Sequence, residues 1–179
     1  MISRPLRSLA GDKGGLAALE FALILPLMLT AMLGTVEISN LVSSYSKAVS
    51  ASQTVADLTS QSSSLTTSQM NSIVVAAQRV LDPLTSDATN LGIDIVSVGY
   101  DSTNKPVKLW QFSWGKSAPS IPLTGAQGLG VAGESVILVS LSYTCIPLIH
   151  QIVPEITFNE VSYSRPRLVR KIALNGVTG

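Results

Sequence analysis

Between Leu16 and Val36 the chain runs for 21 residues with one charged side chain, Glu20. A helix needs ~20 mostly apolar residues to cross the hydrocarbon core of a bilayer, so this segment reads as a membrane span. Arg4, Arg7 and Lys13 precede it, offset only by Asp12, and Gly14-Gly15 follow them. Basic residues on the amino side predict that Met1–Gly15 faces the cytoplasm and that the rest is exported. A cleaved secretory signal is the alternative. Ala31-Met32-Leu33-Gly34 offers no clean small-x-small cleavage site, however, and the apolar run is long for a signal core. A retained helix is the preferred reading. Pro26, inside the span, removes one backbone hydrogen bond and should kink or loosen the helix locally, whether as an ordinary kink or as a hinge. Neighbouring helices or polar side chains can re-satisfy the freed carbonyl.

An acidic side chain within a span is costly unless it finds a partner, and no Lys or Arg lies within a turn of Glu20. If the chain were cut after Gly15, Leu16 would carry a free α-ammonium. On a neighbouring copy that ammonium could neutralise Glu20, and the pair would set the register between subunits. The plainer alternative places Glu20 at the headgroup level, where it snorkels to water.

Gly15-Leu16-Ala17-Ala18-Leu19-Glu20-Phe21 resembles a type IV prepilin processing site: a small residue, the cut, then Glu at the fifth mature position followed by an aromatic. The wider string from Gly15 to Ser39 resembles the opening of TadE-like proteins, the pilin-like minor components of tight-adherence (Flp, type IVb) pilus systems. Glu37 after Gly34, and the polar Ser39-Asn40, also fit that family's helix ending. At the other end, Ser162-Tyr163-Ser164-Arg165-Pro166-Arg167 is similar to its terminal strand. The resemblance implies cleavage after Gly15 by a prepilin peptidase, leaving a mature chain of 164 residues. It also implies other pilin-like subunits and the inner-membrane pilus assembly machinery as partners.

Charged residues make up only 13% of the chain and the formal net charge is +1. Nothing in that balance suggests a nucleic-acid-binding surface. One cysteine rules out an internal disulfide framework or a multi-cysteine zinc site, and a single histidine argues against a His-rich catalytic or metal centre. The expectation is a chain with no catalytic residues, metal, cofactor or small-molecule substrate, closer to an assembly protein than to an enzyme.

Beyond Glu37, apolar side chains fall at Ile38, Leu41, Val42, Tyr45, Val49, Val55 and Leu58, mostly at intervals of three, four or seven. An amphipathic helix therefore continues the span. Ser60–Ser64 reads as a loop. Thr66-x-x-Gln69 is a capping box opening a second helix with the stripe Met70, Ile73, Val74, Ala77, Val80 and Leu81, stopped by Asp82-Pro83. Both stripes read as core.

From Leu91 the texture becomes β. Ile93–Tyr100 is one expected strand, Asp101–Lys105 a turn, and Val107–Trp114 a second strand with Lys108, Trp110, Phe112 and Trp114 on one face. Residues 115–133, with five glycines and two prolines, read as a loop. Ser135–Tyr143 reads as a central strand buried on both faces. Ile156–Leu174 is expected as a last, mixed strand whose later part Pro166 confines to an edge. The fold class is α+β and pilin-like: a leader at 1–15, a transmembrane helix at 16–40, a helical region at 41–90, and a periplasmic β-rich domain with a small antiparallel sheet at 91–179.

Several features invite over-reading. Gly128-Leu129-Gly130-Val131-Ala132-Gly133 matches G-x-G-x-x-G, but a loop precedes it and a strand follows, the reverse of a dinucleotide site. Cys145 and His150 lack a third group that would make a nucleophile–base pair, so the thiol reads as packed, or as a minor route to cross-linking another chain. Arg165, Arg167, Arg170 and Lys171 could meet anionic lipid or an acidic neighbour, and otherwise form a solvated edge that deters strand pairing. Trp110 and Trp114 either form a partner-binding face or supply the sheet's large core residues. The general tendency of aromatics to be buried favours the core.

Two functions remain in view. One is a membrane-anchored minor pilin or pseudopilin, needed for pilus assembly in the bacterial inner membrane with its carboxyl-terminal part in the periplasm. Its expected site residues are Gly15, Leu16, Glu20 and Phe21 for processing, and Leu16, Glu20 and Pro26 for subunit register. The other is an uncleaved single-pass, adhesin-like binding domain that recognises a ligand through the Trp110 and Trp114 face; Trp110, Trp114, Arg165 and Arg167 are the residues of a possible partner surface.

Overall fold

A computed structural model describes residues 14–147, 149 and 153–178 of the chain. The basic leader residues Arg4, Arg7 and Lys13, and His150, lie outside the described residues. Contacts divide the chain into two units, 1–40 and 41–179. Helix α1 (Gly14–Ser60) contributes to both and passes through Pro26 as one element. After it come β1 (Ser64–Leu65), α2 (Thr67–Leu81), β2 (Leu91–Tyr100), β3 (Pro106–Gly115), a 3-10 turn at Leu123–Ala126, β4 (Ser135–Cys145), β5 (Ile156–Ser164) and β6 (Ala173–Leu174). The architecture is the expected α+β combination of a long apolar helix, a second helix and a small antiparallel sheet.

Strand order in the second unit is β3-β2-β4-β5, antiparallel throughout. β2 and β4 are central and buried along their whole length, as the continuous apolar run of β4 predicts. Helix residues 41–60 and α2 cover one face, where Val55, Met70, Ile73, Leu81, Ile93, Ile95, Ile137 and Leu141 form the main core. α2 begins with the capping box foreseen: the Thr66 hydroxyl accepts from the Gln69 amide, while the Gln69 side chain accepts from the Thr66 amide at 2.8 Å.

The helix face that packs on the sheet differs from the apolar stripe read in the sequence. Val42 and Tyr45 are exposed, whereas Ser44, Ala48, Ala51, Ser52, Val55, Ala56 and Thr59 are buried. Their helical spacing puts mostly small side chains on the buried side of the helix. The Thr59 hydroxyl folds back on the Val55 carbonyl at 2.7 Å and needs no other partner.

Two strand readings are corrected. The ladder between β2 and β3 shifts register at Ser97/Val98: Ser97 opposes Trp110 and Val98 opposes Lys108, leaving Leu109 as the extra residue. This bulge turns Lys108 away from the face of Trp110, Phe112 and Trp114 and toward Gln111, whose side-chain oxygen accepts from Lys108 Nζ at 3.0 Å. The last strand also does not continue to Leu174. β5 stops at Ser164, ahead of Pro166, and the chain then bends over the end of α1, where the Arg167 amide donates to the Ser60 carbonyl. It finishes as β6, paired in parallel with β1.

The second face of the sheet is covered by the Gly/Pro-rich loop. Val96, Val98, Tyr100, Val136 and Leu138 pack with Ala126, Ile121, Leu123 and Leu129. The Tyr100 hydroxyl donates to the Ala126 carbonyl at 2.7 Å. The string that mimics a dinucleotide fingerprint has a structural use: Gly128 and Gly133 take positive φ, and a Cβ on Gly130 would come within 2.4 Å of the Tyr100 ring.

Candidate processing and assembly site

In the described part of the first unit, α1 presents apolar side chains on every side. Leu23 is 74% and Leu27 72% exposed, and Leu16, Leu19, Phe21, Ile24, Met28 and Met32 are exposed as well. This helix is long and apolar enough to cross a membrane. The threonines of its apolar segment suit such a medium, because Thr30 and Thr35 return their hydroxyls to the carbonyls of Pro26 and Ala31 at 2.8 and 2.9 Å.

Gly15, Leu16, Glu20 and Phe21 all lie in the first turns of α1 and all are exposed. Leu16 and Glu20 are four residues apart, hence on one helix face a single turn from each other. Among the described residues beyond its own helical turn, no atom stands within 4 Å of where a Cβ of Gly15 would be. Pro26 lies further along the same helix, between Leu25 and Leu27.

The residues considered as a partner surface are placed apart from one another. Trp110 is buried in the main core, and its indole Nε1 donates to the Ile172 carbonyl at 2.7 Å. Trp114 is half-buried against the same core. Arg165 donates to the Leu129 carbonyl. Arg167 forms an ion pair with Asp57 of α1, whose other oxygen accepts from Gln61 at 2.7 Å. Cys145 is buried as a free thiol with its sulfur 3.5 Å from the Ser44 hydroxyl.

Polar features that sequence reading missed lie on both faces of the sheet, the largest group on the loop-covered one. The buried Asp94 carboxylate accepts from Gln111 Nε2 at 2.8 and 3.0 Å and from the Ser113 hydroxyl at 2.7 Å, pinning β3 to β2. Lys116 reaches the Thr144 hydroxyl at 2.5 Å. A cavity of 180 Å³ lies between Pro83, Leu84, Asn90, Tyr143 and Cys145. Burial, with smaller contributions from Cys145 and Asp87, pushes the Tyr143 hydroxyl up to about 12. The alternating polar residues at 94, 111 and 113 are visible in the sequence. Their convergence depends on which strands pair.

Among comparisons with known proteins, the model of the TadE-like protein family matches residues 15–57, which takes in the amino-terminal string of the resemblance and not Ser162–Arg167. No curated protein and no solved structure matches the chain at a significant level.

Proposed function

We propose that this chain, TadE-like over residues 15–57, is a minor pilin or pseudopilin of a tight-adherence type IV pilus system. The observation that carries the reading is the coincidence, in the first two exposed helical turns, of Gly15, Leu16, Glu20 and Phe21 at the head of a membrane-length helix. In this reading a prepilin peptidase cuts after Gly15, and α1 anchors the mature chain in the inner membrane with the second unit in the periplasm. The Leu16 ammonium of one subunit then meets Glu20 of another, since an unpaired carboxylate in hydrocarbon is costly. Pro26 loosens the helix for packing among its neighbours. The partners are the peptidase, other pilin-like subunits and the membrane assembly machinery. The chain is a substrate of processing and performs no catalysis itself. The competing reading, a ligand-binding domain using Trp110 and Trp114, has less in its favour because Trp110 is buried and its indole N–H engaged.

The test is amino-terminal sequencing of the protein recovered from membranes with and without the host's prepilin peptidase. A mature chain beginning at Leu16 only when the peptidase is present supports the proposal. An intact Met1 in both samples overturns it and restores the uncleaved, anchored binding domain.

A further inference from the structure

Val42 and Tyr45 of the second unit keep large apolar side chains exposed, although α1 buries a different side there. Three residues apart, the two share one helix face. Two further apolar side chains lie at the same end of the unit. The Cys145 thiol that closes β4 donates to the Ser44 hydroxyl, and the next residue, Ile146, is exposed. The half-buried ring of Phe158, near the start of β5, stands edge-on to that of Tyr45 with 5.5 Å between centroids.

The helix itself puts a membrane next to this end. Val42 follows Val36, the last residue of the apolar run, by six residues, ~9 Å of helix. Tyr45 follows Leu16 by 29 residues, ~44 Å of helix. A bilayer measures about 30 Å across its hydrocarbon and about 40–45 Å with both headgroup layers. A helix whose Leu16 starts in one headgroup layer, where Glu20 costs least, thus brings Tyr45 to the opposite layer. An ordinary tilt of ~20° trims that reach to ~41 Å and draws Val42 and Tyr45 closer to the hydrocarbon.

The side chains suit that layer. Tyrosine is enriched there because its ring is apolar and its tip polar. The Tyr45 hydroxyl is hydrogen-bonded to Glu160, which pushes it above its ordinary 10.0, so lipid can cover the ring without orphaning the hydroxyl. α1 and β5 run side by side in one direction, with Tyr45 against Phe158 and the Ser52 hydroxyl against that of Ser162. Glu160 lies between those contacts, so the charge that holds Tyr45 stands on the water side of the aromatic pair. β4 runs opposite to β5 and hence toward the span, which carries Ile146 past the level of Ser44.

We propose that Val42, Tyr45, Phe158 and Ile146 form a lipid-contacting foot, by which the second unit rests in the headgroup layer of the membrane that α1 crosses. The inference rests on anchoring by α1 and not on cleavage at Gly15.

The test uses the full unsubstituted chain in vesicles of phosphatidylethanolamine and phosphatidylglycerol, doped with a lipid whose acyl chain carries a diazirine close to the headgroup. After irradiation, mass spectrometry should find lipid adducts on Val42–Tyr45 and on Ile146 at several-fold the level on 165–174. That stretch is the internal control, because it lies at the far end of α1, where the Arg167 amide meets the Ser60 carbonyl, and its Leu168 is likewise apolar and exposed. Adducts on 16–36 without an excess at both Val42–Tyr45 and Ile146 overturn this inference and leave the anchoring standing. No adducts on 16–36 either would show that α1 stays out of the bilayer, which removes both. An excess that vanishes as protein density in the vesicles is raised assigns the face to a second copy and overturns the lipid contact.

Discussion

The indole of Trp110 on β3 donates its hydrogen bond to the backbone carbonyl of Ile172, 62 residues further along the chain, and both residues are buried. One side chain thus closes the main core and fastens the segment after β5 beneath the helices.

Trp110→Phe keeps most of the ring but orphans the Ile172 carbonyl. The expected loss is about 1–3 kcal/mol, the cost of leaving a buried polar group unsatisfied. Trp110→Ala should cost roughly 3–5 kcal/mol by adding a cavity. Thermal melts of the full chain in detergent check both. Earlier proteolysis within 165–174 should accompany them, and a Trp110→Phe protein as stable as the parent would refute the anchoring role.

Ser97 sits at the bulge opposite Trp110, wholly buried, with its hydroxyl unpartnered among the described residues. Removing such a group spares its desolvation. Ser97→Ala should therefore leave the melting temperature unchanged or raise it, unlike nearly every other core substitution in this sheet.

Gly130→Ala should destabilise the protein by about 1–3 kcal/mol, the usual range for overpacking, because the new methyl meets the Tyr100 ring. Tyr100→Phe in the same background should add little, since the Tyr100–Ala126 hydrogen bond would already be strained. A double-mutant cycle measures that coupling.

Stability should fall at both pH extremes, for separate reasons. Burial raises the Tyr143 hydroxyl from its ordinary 10.0 to about 12. The unfolded chain releases this proton first, so the contribution is intact below about pH 10 and is lost as pH rises toward 12. Hydrogen bonds from Thr89 and the Asn90 amide lower Asp87, and bonds from Thr103 and the Lys105 amide lower Asp101. Their contribution is intact above the ordinary carboxylate range and disappears as pH falls through and below it. Melts from pH 2 to 12 should lose part of the alkaline limb in Tyr143→Phe and part of the acid limb in Asp87→Asn with Asp101→Asn.

If Leu16 and Glu20 set subunit register, Glu20→Ala should abolish pilus assembly while cleavage at Gly15 and accumulation in the membrane persist. Assembly assays beside amino-terminal sequencing separate the two steps. Normal assembly with Glu20→Ala would remove the pairing from the account.

The sequence by itself determined what depends on near neighbours. The membrane-length helix follows from an uninterrupted apolar run. The start of α2 follows from Thr66 and Gln69, and the central placement of β4 from Val136-Ile137-Leu138-Val139. The β2–β3 turn belongs here too, since the Asp101 carboxylate gathers the amides of Thr103 and Lys105 within five residues.

Tertiary structure decided whatever joins distant segments. Apolar periodicity pointed to Val42 and Tyr45, yet α1 packs through Ser44, Ala48, Ala51 and Ser52. The bulge at Leu109 re-aimed Lys108, the glycine-rich loop became the wall of a second core under Tyr100, and Ala173–Leu174 joined Ser64–Leu65 in parallel. Such pairings gain their energy only after a long loop has been closed. Local pattern is silent about which of several compatible partners a segment finds, and the packed core makes that choice.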